Sequence, residues 1–116
     1  MTGITLSAPI LPGKIDDWKN FGYELAEGGS KHNDYIAVMK NTGVKRIRAW
    51  LQENPAGAVG IMLYEGETPS EFIQQIGTSQ EPFAVWFRKK VMDLHGFDLA
   101  NAKGSPSELV TDILAD

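Results

Sequence analysis

Cysteine is absent from the 116 residues of this chain. Its absence removes disulfides, thiolate nucleophiles, zinc–thiolate sites and cysteine-ligated iron–sulfur clusters. Long apolar runs are absent too. Runs such as Ile61-Met62-Leu63-Tyr64 fall far short of the about 20 residues of a membrane-spanning helix. There is no basic run: 11 Lys and Arg stand against 15 Asp and Glu, for a formal net charge of −4. An acidic chain without a basic stripe is poorly suited to nucleic acid. Residues 1–12 carry no basic stretch ahead of a long apolar one, so a soluble cytoplasmic protein with no membrane partner is expected. Gly28-Gly29 lacks both the pattern and the preceding strand of a phosphate-binding loop. No Ser lies in a Gly-x-Ser-x-Gly elbow. Nucleotide enzymes and serine hydrolases lose support accordingly.

What is present fits one folded domain over residues 1–116. Apolar residues make up 42% of the chain, which supports a single core, and no repeat or linker divides it. Ile4, Leu6, Ala8 and Ile10 alternate with Thr5, Ser7 and Pro9, the period of a strand with one apolar face. Pro9 places that strand at an edge or at its own end. Trp18, Phe21 and Leu25 then share one face of a helix that Gly28-Gly29 stops. A second helical piece covers about residues 31–41, with Ser30 as a candidate N-cap and Gly43 placed to end it.

Residues 44–52 alternate again, Ile47, Ala49 and Leu51 against Arg46, Arg48 and Trp50. Asn54-Pro55-Ala56-Gly57 is turn chemistry, and residues 58–65 form a third strand that is apolar on both faces. Thr68-Pro69-Ser70-Glu71 reads as a capping box opening a short helix. A longer helix covers about residues 82–94. Phe83, Trp86, Phe87, Val91 and Leu94 form its apolar stripe, with Trp86 expected to be largely buried. Residues 108–114 carry two signals. Ser105-Pro106-Ser107-Glu108 favours a helix, and the alternation of Leu109, Thr111 and Ile113 favours a strand.

A strand there completes a sheet, so it is the expectation. The order is then βαββαβ, an α+β ferredoxin-like unit with an antiparallel sheet and helices on one face. The second face is left for solvent, ligand or a partner. Trp50, Met62 and Tyr64 are expected to form part of it, and a sheet-to-sheet homodimer would bury it.

The sequence offers Leu11-Pro12-Gly13-Lys14 ahead of a Trp18-bearing helix, a hairpin with Trp50, the Pro82-Phe83-Ala84-Val85-Trp86-Phe87 helix, and the ending His95-Gly96-Phe97-Asp98-Leu99. In this layout the chain resembles the dimeric α+β barrel superfamily. That group includes antibiotic-biosynthesis monooxygenases, haem-degrading monooxygenases, muconolactone isomerases and stress-responsive barrel proteins. The resemblance covers nearly the whole chain at the level of layout, and no catalytic motif matches residue by residue. It implies a homodimer with an apolar pocket for a small organic molecule. For an enzyme, it implies cofactor-independent oxygenation or isomerisation. A non-catalytic ligand-binding or stress-related dimer and a haem-handling protein are the alternatives.

Candidate site residues follow from side-chain chemistry. His95 and His32 are the side chains whose unperturbed pKa lies near neutrality. His95 follows an apolar helix and is the preferred proton carrier, with Tyr64 beside it; the plainer reading of His95 is a cap on its own helix. His32 lies in a polar turn and is assigned to ligand binding. Arg48 and Trp50 offer an anion-binding wall with an aromatic platform, or else a dimer contact. Tyr35 and Tyr64 carry hydroxyls suited to the polar points of an apolar pocket. No metal site and no cofactor are expected.

Overall fold

The computed structural model describes residues 2–101 and 107–115. β1 (Thr2–Ile10) is followed by α1 (Ile15–Leu25) and α2 (His32–Thr42). The hairpin β2 (Val44–Asn54) and β3 (Gly57–Gly66) comes next, then α3 (Pro69–Thr78), α4 (Pro82–His95) and a short 3₁₀ turn (Leu99–Asn101). Among the described residues no helix is long and apolar enough to cross a membrane.

Local chemistry explains most boundaries. Gly43 and Gly96 close α2 and α4 with φ of 73° and 78°, a left-handed conformation that glycine adopts without steric cost. The Asn54 side-chain oxygen accepts the Ala56 amide at 2.9 Å, tightening the hairpin turn. Pro69 and Pro82 open α3 and α4, where a missing N–H costs nothing. The expected side-chain caps do not form. Lys31 rather than Ser30 precedes α2, and the Thr68 carbonyl, not its hydroxyl, accepts the Glu71 amide at 3.0 Å.

The sheet order is β1-β3-β2, with β3 antiparallel to both neighbours. β1 and β2 are therefore parallel to each other, with β3 inserted between them. The helices lie on one face. Phe21, Tyr35, Phe72, Ile76, Phe83, Phe87, Val91 and Leu94 build the core against Val44 and Tyr64 of the sheet. Trp86 departs from its expectation and is only half-buried. Phe83, Phe87, Val91 and Leu94 hold the central line of α4, which pushes Trp86 to its flank. There it packs on Phe21 and Phe83 at 5.6 and 5.7 Å, with the Lys31 and Lys90 ammonium groups over its ring.

Two expectations about the sheet are corrected. Pairing sets Trp50 opposite Ile61 and Arg48 opposite Leu63, whereas Ile47 and Ala49 oppose Tyr64 and Met62. Paired residues share a face. Tyr64 and Met62 therefore point to the helices, and the open face carries Trp50 with Val59, Ile61 and Leu63. β3 is apolar on both sides, so its sequence does not say which set looks inward.

The second correction concerns the last element. Residues 107–115 form neither strand nor helix and are exposed. Ser105 and Pro106 of the expected capping box lie outside the described residues. A strand needs a neighbour for its hydrogen bonds, and this segment touches the sheet through one bond, from the Thr5 amide to Ser107 Oγ at 2.7 Å. Among the described residues the sheet thus has three strands.

Candidate functional site

A cavity of about 570 Å³ lies between the helices and the inner face of the sheet. That volume falls within the roughly 300–1,000 Å³ of small-molecule sites. Its floor is Leu6 and Ala8 of β1, Met62 and Tyr64 of β3, and Ile47 and Ala49 of β2. Its roof is Trp18, Phe21, Tyr35, Met39, Phe72 and Phe87 from the helices. The Trp18 ring lies over Gly60. A Cβ built on that glycine would fall 2.7 Å from the ring, so only glycine admits this wall. The sequence assigned Trp18 to the core; nothing in its helical spacing distinguishes a packed aromatic from a cavity wall. Exposed members of the lining, Lys19, Gly22 and Tyr23 on α1, Ala26 just after it and Ala49 on β2, mark a mouth between α1 and the β2 edge.

Four polar side chains from the sequence reading meet here: Tyr35, Tyr64, His32 and His95. Tyr35 and Tyr64 both contact the fully buried Phe72 ring, at 5.5 and 5.3 Å between centroids. Burial in apolar surroundings pushes both phenols well above the usual tyrosine range, and proximity to Tyr64 adds to the effect at Tyr35. Both hydroxyls therefore stay protonated at neutral pH and can donate a hydrogen bond.

The two histidines share one arrangement. The His95 Nδ1–H donates to the Pro9 carbonyl at 2.7 Å, and the His32 Nδ1–H donates to the Leu25 carbonyl at 2.9 Å. A carbonyl oxygen only accepts, so the proton sits on Nδ1 and the neutral ring keeps its lone pair on Nε2. His95 is 93% buried. Burial lowers its pKa below the ordinary histidine value, partly opposed by the Pro9 carbonyl. The bond runs from the end of α4 across to β1, so His95 does more than cap its own helix.

Arg48 and Trp50 lie elsewhere. The sheet separates them from the cavity, and they sit on its open face. The Arg48 guanidinium lies over the Trp50 ring at 5.4 Å and reaches the Glu65 carboxylate at 3.0 Å. Its Nε is buried without a hydrogen-bond partner among the described residues. The ligand-binding set read from sequence therefore divides, with His32 and Tyr35 in the cavity and Arg48 and Trp50 on the far side of the sheet.

Phe97 is a lining residue outside the candidate set expected from sequence; its ring lies 6.1 Å from His95. Its place directly after the helix-ending Gly96 is the one available signal. Among the described residues, no three His, Asp or Glu side chains cluster as metal ligands do. Comparison of the chain with protein-family models, with curated proteins and with solved structures finds no match in any of the three.

Proposed function

We propose that this chain binds a small, partly aromatic organic molecule in the cavity between sheet and helices. The observation that carries the reading is the composition of the wall: mostly apolar and aromatic, with two protonated phenols and two imidazoles held through Nδ1 as its orienting groups. Such a wall selects a flat apolar body that carries a hydroxyl or carbonyl. Calorimetric titration with 1-naphthol and with naphthalene tests this. 1-Naphthol should bind at one site per chain and about 2–10-fold more tightly than naphthalene, the worth of one hydrogen bond. Equal affinity for both, or no binding of either, would remove the role given to the phenols and imidazoles.

A catalytic reading is favoured by one observation, the Pro9–His95 bond. It fixes the tautomer that leaves Nε2 as an acceptor, and burial keeps that acceptor unprotonated. His95 would then take a proton from the bound molecule, with Tyr64 donating to the oxygen that becomes negative. This matches cofactor-independent oxygenation or isomerisation, the chemistry implied by the resemblance to dimeric α+β barrels. In the same reading the chain is a homodimer, packed open face to open face over Trp50, Ile61 and Leu63.

A further inference from the structure

Resting on the cavity reading above, we infer that the ligand is an apolar monocarboxylic acid, held with its carboxylate at the mouth beside Lys19 and its apolar body directed inward. This adds the charge and the orientation of the bound molecule.

Charge is spread unevenly over the lining. Lys19 is the one Lys or Arg in it, and no Asp or Glu joins it among the described residues. Helical spacing on α1 puts the ammonium at the rim. Trp18, Phe21 and Leu25, at i, i+3 and i+7, turn inward and build the wall. Lys19, Tyr23 and Ala26, at i, i+4 and i+7, follow an adjacent line and are exposed at the opening, across from Ala49. Among the described residues the ion pairs join Lys14 to Asp93 and Arg48 to Glu65. Lys19 belongs to neither, so its charge is uncommitted.

A cation at the rim of an apolar cavity selects both the charge of a ligand and its direction. A carboxylate drawn into the apolar interior would lose its hydration with no lysine or arginine there to replace it. Kept at the mouth, it stays in contact with water and meets the ammonium, while the lysine stem extends the apolar wall. One lysine balances one negative charge. A monoanion therefore fits better than a phosphate monoester, which carries about −1.5 to −2.

The inner end of the site suits the other end of such a molecule. His95 marks it, through its bond to Pro9 on the far strand. Ala49 at the mouth and Pro9 stand two strand spacings and three residues apart, roughly 14 Å. That span takes an elongated body, a fused pair of rings or a medium-length chain, with an oxygen at its inner end for Tyr64 or His95.

Calorimetric titration with 2-naphthoate and 2-naphthamide tests the assignment, because the two differ in charge and little in shape. 1-Naphthol, titrated into the wild type alongside them, reports on the cavity. At low ionic strength 2-naphthoate should bind about 2–5-fold more tightly than the amide, the worth of an exposed ion pair, and added salt should shrink that preference. Lys19→Gln should bring the ratio to about one, and Lys19→Glu should invert it. Binding of 1-naphthol with no preference for 2-naphthoate over the amide overturns the carboxylic-acid assignment and leaves the cavity reading standing. Failure of all three ligands overturns both. A preference that survives Lys19→Gln and Lys19→Glu, or that fades through neutral pH as a histidine loses its proton, places the cation elsewhere and overturns the role of Lys19.

Discussion

His95 Nδ1 and the Pro9 carbonyl oxygen lie 2.7 Å apart, joining the end of α4 to the end of β1 across 86 positions of sequence. Pro9 has no amide to offer, but its carbonyl still points to the outer edge of β1. The helix end supplies the donor that edge lacks. The same bond fixes the imidazole tautomer on one side of the cavity, so a feature of strand termination sets the chemistry of the site.

That bond gives the protein a pH dependence. The folded-state pKa of His95 is lowered, so between that value and the unfolded value near 6.5 the unfolded chain binds more protons. The contribution is fully present above about pH 6.5 and is lost as pH falls towards the folded pKa. Urea unfolding at pH 7.5 and 5.5 measures it. His95→Gln keeps a donor for Pro9 without a titrating ring, and it should lose less stability than the wild type over that interval. An identical loss in both proteins would exclude the histidine as its source.

Phe72 is fully buried and its ring is shared by Tyr35 and Tyr64. Phe72→Ala should cost about 3–5 kcal/mol of stability. Trp86→Ala, on the half-buried flank of α4, should cost clearly less, since lysine stems already share its surface. Chemical denaturation of the two variants compares them directly; a greater loss for Trp86→Ala would invert the core assignment.

Most element boundaries were legible because glycine, proline and Asx-turn chemistry act locally, as at Gly43, Gly96, Pro69 and Asn54. Which face of β3 turns inward was not legible. Both faces of β3 carry bulky side chains suited to a core, Ile61 and Leu63 on one and Met62 and Tyr64 on the other, and only pairing with β2 decides. The candidate site was readable as a list of side chains but not as a place. Arg48 alternates correctly with Ile47, yet the sequence does not say on which side of the sheet a cavity forms. The alternation of residues 108–114 likewise has the pattern of a strand, but alternation does not supply the neighbour a strand needs, and among the described residues the sheet stops at three strands.

Gly60 bears on the cavity wall. Gly60→Ala should push Trp18 off β3, costing about 1–3 kcal/mol as an overpacked site. Indole emission should shift to the red as the ring gains water. Unchanged emission would mean that Trp18 does not rest on the strand.

Trp50 is 47% exposed in the protomer and lies at the centre of the proposed dimer contact. Trp50→Glu should leave the protomer fold intact by circular dichroism. It should weaken self-association at least tenfold by sedimentation equilibrium. Retained dimerisation would move the contact away from the open face.

The cavity itself is tested most directly at its mouth. Ala49 is exposed and lines the opening, so Ala49→Trp can block it without entering the core. Calorimetric titration of 1-naphthol into both proteins is the measurement. A ligand site between sheet and helices predicts one-to-one binding to the wild type and at least tenfold weaker binding to Ala49→Trp, with both folded. Equal binding to the two proteins, or none to the wild type at millimolar ligand, would contradict it.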